Sequence, residues 1–213
     1  MRVSEIFFSV QGEGIQIGLP TTFLRLFGCD LRCKWCDTMY AVEGTEFNTL
    51  DIDNIIDKIS NLECKRVCIT GGEPLLQEKE LIELTRILLD QDFTLVLETS
   101  GHRAPPEIFW DDSCLISMDC KCPSSGMQDR MDFSLFEKLR GSDQLKFVIT
   151  DDRDYQYAKQ VLNNNQISSN IIFQPVYNSN TNWLYDKVLE ERLDSARVLP
   201  QLHKLIWGEK RGV

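Results

Sequence analysis

A chain of 213 residues with 42% hydrophobic and 26% charged residues has the make-up of a water-soluble globular protein, long enough to bury roughly 70% of its unfolded surface. No apolar run approaches the ~20 residues of a membrane span and the first residues lack a signal-peptide pattern, so a cytoplasmic protein without a membrane role is expected. The net charge of −10, from 33 acidic and 23 basic residues, repels a phosphate backbone and argues against direct nucleic-acid binding.

Arg2 to Val10 reads as part of the fold, not as a leader. From there short apolar runs alternate with helix-period segments. The runs Thr21–Leu26, Arg66–Thr70, Thr94–Glu98, Cys114–Met118, Gln144–Ile149 and Asn170–Phe173 have the length of buried parallel strands. Between the first two, Ile52, Ile55, Ile56 and Ile59 recur at helical spacing, with Thr49 or Asp51 as the cap. Leu81, Leu84 and Leu88 form a second stripe, and Asp154 to Leu162 and Asn182 to Leu193 suit further helices. There is no repeat and no linker. The alternation predicts one α/β domain over residues 1–213, a partial (open) TIM-like barrel with about six mostly parallel strands. In such folds chemistry sits at the C-terminal ends of the strands.

Eight cysteines are many for a reducing compartment, where clustered thiols more often bind metal or do chemistry than form disulfides. Cys29, Cys33 and Cys36 follow the first strand on a polar loop that also holds Asp30, Arg32 and Lys34. A structural zinc site wants four protein ligands. Three thiolates on one tight loop suit a cubane iron–sulfur cluster better, with one iron left open to a small molecule. Cys114, Cys120 and Cys122 offer only three thiols, one of them inside an expected strand, and a structural role is favoured.

The triplet spacing, with Trp35 before its last cysteine, and the turn Thr70-Gly71-Gly72-Glu73-Pro74 after a strand together resemble the radical S-adenosylmethionine (SAM) superfamily. A Gly-Gly-Glu-Pro turn alone would more often be only a turn. Beside the triplet it implies a 4Fe–4S cluster on Cys29, Cys33 and Cys36, and SAM bound near Gly71, Gly72 and Glu73. Val10-Gln11-Gly12-Glu13-Gly14, Arg25 and Asp37-Thr38 narrow the resemblance to the 7-carboxy-7-deazaguanine synthase family.

That resemblance implies a ring-contracting lyase. It would turn 6-carboxy-5,6,7,8-tetrahydropterin into 7-carboxy-7-deazaguanine with release of ammonia, in queuosine or archaeosine biosynthesis. Reductive cleavage of SAM would supply a radical that takes hydrogen from carbon 6 of the pterin. It further implies Mg2+ on Thr38, flavodoxin or ferredoxin as electron donor, and a homodimer.

The substrate residues it implies are Val10, Gln11, Gly12, Glu13, Arg25, Thr70 and His203. Trp35, Asp37, Glu98, Ser100, Ser117, Asp119, Lys121 and Gln174 join the turn as cofactor-binding residues. Residues 1–20 would be an N-terminal substrate-binding extension and 208–213 a short tail. Taken locally, Gly12 and Gly14 could simply shape a turn, Thr38 could cap a helix, and His203 could face solvent. A glycyl-radical activating enzyme or a non-catalytic iron–sulfur electron carrier are the rival readings.

Overall fold

In the computed structural model, which describes residues 1–177 and 181–213, the six apolar runs form the centre of one nine-stranded sheet. The first strand, β1 (Arg2–Val10), pairs antiparallel with β2 (Pro20–Leu26), and a short helix α1 (Met39–Val42) and edge strand β3 (Asn48–Thr49) follow. The chain continues through α2 (Ile52–Ser60), β4 (Arg66–Gly71), α3 (Glu78–Asp90), β5 (Thr94–Thr99), β6 (Cys114–Cys120) and α4 (Phe133–Phe136). It ends with β7 (Gln144–Ile149), α5 (Asp152–Asn164), β8 (Asn170–Pro175), α6 (Asn182–Glu190), β9 (Ala196–Val198) and α7 (Leu202–Trp207). The strand order is β3-β1-β2-β4-β5-β6-β7-β8-β9, and every pairing from β2 to β9 is parallel. This is the expected α/β open barrel, with β1, β3 and β9 added to the six strands foreseen.

The helices form where their stripes find an apolar partner. Asp51 caps α2 by accepting from the Asn54 N–H at 2.8 Å, which decides between the two candidate caps. Ile55 and Ile59 of α2 and Leu81, Leu84 and Leu88 of α3 are fully buried, in one cluster with Ile69, Leu97 and Ile116 of the sheet. Cys114, Cys120 and Cys122 belong to the same core and are buried as small apolar groups. Among the described residues, no helix is long and apolar enough to cross a membrane.

The opposite face of the sheet positions the site. Side chains two residues apart share a strand face, so register sorts them into tiers. Phe23, Cys68, Val96 and Leu115 stand side by side across β2, β4, β5 and β6 and form an apolar floor. Two residues on, Arg25 pairs with Thr70, Glu98 with Ser117 and Ser117 with Gln144. One further step brings Asp119 beside Lys146. Polarity rises toward the C-terminal ends.

Candidate active site

The polar tiers open into a cavity, and the cysteine loop forms its far wall. Cys29, Cys33 and Cys36 all line it, together with Trp35, Asp37 and Thr38. Trp35 is held by its indole N–H, which donates to Ser124 Oγ at 3.0 Å. Among the described residues no three His, Cys, Asp or Glu side chains converge as they would around a single metal ion. A cubane asks for a wider spread, because each thiolate sits on a different iron. Burial pushes the Cys29 and Cys33 thiols up, so their thiolate forms depend on the positive charge of bound iron. Thr38 precedes α1 but its side chain makes no cap bond; its Oγ1 lies 3.7 Å from Cys36 Sγ.

The glycines of the Gly-Gly-Glu-Pro turn are fixed by close approach. A Cβ on Gly71, which has φ +137°, would come within 2.1 Å of the Leu26 carbonyl oxygen; one on Gly72 would come within 2.2 Å of that of Gly28. Both glycines line the cavity, and so does Gln174, whose buried Oε1 has no hydrogen-bond partner among the described residues. A backbone-lined cradle and an orphaned amide oxygen, able to accept from an adenine amine, fit SAM.

Two of the residues expected at the cofactor, Glu73 and Ser117, stand outside the cavity wall. Glu73 does not line the cavity. Its carboxylate accepts from Leu75 N–H at 3.1 Å, Thr99 Oγ1 at 2.8 Å and Ser100 N–H at 2.9 Å, and also from Ser100 Oγ. A carboxylate so filled, and only 1% exposed, orients the end of β5 and has little capacity left for an ammonium group. Ser117 stands in the tier of Glu98 but is not part of the cavity wall, and it accepts from Gln144 Nε2 at 2.7 Å. Ser100, Asp119 and Lys121 do line it.

On the side away from the cysteines, Gln11, Glu98 and Thr70 form one bonded group. Thr70 Oγ1 donates to Glu98 Oε2 at 2.7 Å, and Gln11 Nε2 donates to Glu98 Oε1 at 3.4 Å. Glu98 is thus tied to two residues expected to bind substrate. Arg25 donates from Nε to Glu5 at 2.7 Å, a carboxylate that Tyr40 also bonds at 2.7 Å. Among the described residues, those ties leave the terminal guanidinium nitrogens for a bidentate anion.

Val10, Gly12 and His203 also line the cavity. Gly12 has a physical reason to be glycine, since a Cβ there would lie 2.0 Å from His203 Nδ1. The last helix is further pinned there by Leu202 N–H donating to the Gly12 carbonyl at 2.9 Å.

The principal residue absent from the sequence reading is Lys146. Its Nζ bonds Glu13 Oε2 and lies 3.1 Å from Asp119 Oδ1, while Lys121 holds Asp119 Oδ2 at 2.6 Å and Gln201 donates to Glu13 Oε1 at 2.8 Å. Burial works against the charge on Glu13, but Lys146 and His203 outweigh it and bring its pKa down to about 2. Lys204, next to His203, pairs with Asp37 at 2.6 Å. The stretch after α7 folds back, with Arg211 on Glu46 at 3.0 Å and Val213 on the cavity wall. A strand lysine in an apolar run was the available signal for Lys146; its partners come from β1–β2 and β6, and no local spacing joins them.

Cluster-forming cysteines at the mouth of an open α/β barrel, above a cradle that fits SAM, define a radical SAM protein, and the sequence pattern of the radical SAM superfamily matches residues 25–109. At full length the chain is 37% identical over 206 residues to the 7-carboxy-7-deazaguanine synthase of Methanospirillum hungatei, covering 97% of this chain and 85% of that one. It is 33% identical over 213 residues to that of Thermoplasma acidophilum, covering all of both chains. The crystal structure of QueE from Escherichia coli shares the fold, with a TM-score of 0.77 and 23% identity over 95% of this chain and 94% of that one. The chain belongs to the 7-carboxy-7-deazaguanine synthase family.

Proposed function

We propose that this chain converts 6-carboxy-5,6,7,8-tetrahydropterin to 7-carboxy-7-deazaguanine with loss of ammonia, as a step toward queuosine or archaeosine. One observation carries the reading beyond family membership. The three cysteines and the group Gln11, Glu13, Arg25, Thr70 and Glu98 line one cavity, which sets a pterin-sized partner against the open side of a cluster. When bound, the 4Fe–4S cluster and SAM supply the radical that starts the rearrangement.

The chain's own residues bind, orient and exclude water. Glu13 and Glu98 accept from the pterin's N–H edge, Gln11 and Thr70 hold Glu98 in place, and Arg25 takes the substrate carboxylate. Val10 and His203 close the substrate half. Trp35, Gly71, Gly72, Ser100, Asp119, Lys121 and Gln174 serve SAM, with Glu73 acting through Ser100. Thr38 offers its hydroxyl oxygen to Mg2+, and Asp37, held by Lys204, shapes that loop.

The exposed cations Arg32, Lys34, Arg103 and Arg130 surround the cysteine loop of an otherwise acidic protein and suit an acidic donor, a flavodoxin or ferredoxin. Exposed Leu205 and Ile206 on α7 suit burial in a homodimer. Residues 1–213 act as one domain, with 1–20 as the substrate-binding extension and 208–213 as its tail, in the cytoplasm, where free thiols persist.

The test is turnover by anaerobically reconstituted protein given SAM, reductant, Mg2+ and the pterin. The expected outcome is 7-carboxy-7-deazaguanine by mass spectrometry. SAM cleavage without that product would leave the radical SAM class and overturn the substrate.

A further inference from the structure

We infer that Lys146 is a positioning residue: its ammonium keeps Glu13 ionised and aimed at the pterin, and locks it in register with Asp119 on the SAM side. The inference rests on the substrate assignment above. It starts from how the charges are shared. Asp119 has two lysines, Lys121 at 2.6 Å and Lys146 at 3.1 Å. Glu13 has one, Lys146, among the described residues. Its other bond comes from the neutral amide of Gln201.

Removing Lys146 therefore leaves Asp119 with a lysine and Glu13 with none. The Lys146 side chain is only 8% exposed, so water would not replace it. Of the three N–H donors of a lysine, one goes to Glu13, and Asp119 pairs with the ammonium at 3.1 Å. The arrangement is a bridge with one end on each half of the cavity, built on a rigid central strand.

The pH behaviour follows from the groups around Glu13. In the wild type its pKa of about 2 keeps it charged at every working pH. Without Lys146, burial raises that pKa, and the protonated acid loses an acceptor for the pterin's N–H groups. Affinity should then improve as pH rises. The other charges facing this group are Asp119, Lys121, Glu98 and His203. Among these, His203 also favours the ionised form of Glu13, and it is the same in every variant.

The experiment is calorimetric binding of 6-carboxytetrahydropterin to the holoenzyme, with cluster and SAM in place, between pH 5.5 and about 8. Each variant is expressed as a ratio to wild type at the same pH, so the pterin's own titration cancels. Lys146→Met should bind at least about tenfold more weakly at the acid end, with the gap narrowing toward the alkaline end. Lys146→Arg, which keeps the charge, should give a ratio that does not change with pH. If Lys146→Met fails to assemble its cluster, Lys146→Gln takes its place. A flat ratio in the neutral variant, or a slope of the opposite sign, overturns the inference while leaving the substrate assignment standing. Failure of the wild type to bind the pterin overturns the substrate assignment and the inference with it.

Discussion

The sheet carries two ionic groups of similar make-up, finished in different ways. Below β6 and β7, Arg140 spends all five N–H donors inside the protein. They go to Asp143 Oδ2 and Oδ1, both at 2.9 Å, and to the carbonyls of Trp110, Asp111 and Cys114 at 2.7, 3.1 and 2.8 Å. Asp143 is completely buried and also accepts from the Ile116 and Arg140 backbone N–H groups. That group is closed and staples two strands together. At the other end, the Glu13–Lys146–Asp119–Lys121 group lines the cavity and keeps donors and acceptors in hand. Buried charge is weak evidence for stability. What marks a site is the unspent hydrogen-bonding capacity around that charge.

The contrast can be sharpened by variants that fail in different ways. Cys33→Ala sets the upper limit: cluster assembly, read by iron content and absorbance, and turnover should both fall to background. Asp143→Ala should break the closed group. It leaves a half-buried guanidinium without its carboxylate and the Ile116 and Arg140 N–H groups without their acceptor, and should lower unfolding free energy by about 3 kcal/mol in denaturant titration. Pterin affinity of the protein that remains folded should be unchanged; a large loss of affinity would erase the distinction.

Arg25→Ala sits on the open side. It should weaken the pterin by about 30-fold or more, with SAM affinity retained. Normal pterin binding would remove Arg25 from its role. The smallest effect is expected from Thr38→Ala, which should weaken Mg2+ stimulation by about tenfold without moving the unfolding midpoint. An unchanged metal titration would count against Thr38.

The parts of the fold that were legible from sequence are those where one segment carries its own signal. The strand Gln144–Ile149 was readable to the residue because it is an apolar run buried throughout. β1 carries no such run: its residues are mostly half-buried, because it lies near the edge and pairs antiparallel with β2. β9 has three residues and exists by pairing with β8. In the site, the cysteine loop and glycine turn were legible because their spacing is the chemistry. The surroundings of Glu73 were not legible, because a sequence shows a carboxylate without showing that Thr99 and Ser100 bond it. Lys146 went unread because its meaning lies in residues 133 positions away, at Glu13.

The contact between Gly12 and His203 has a consequence for biosynthesis. All three cysteines leave the ribosome early, within the stretch that the superfamily pattern covers. The substrate half needs Gln201 and His203 to fold back onto Glu13 and Gly12, a closure across 188 positions in the case of Gln201. The cavity wall is therefore completed from the far end of the chain: Glu13 and Gly12 are made early, and Gln201 and His203, which close over them, are made after every strand of the sheet.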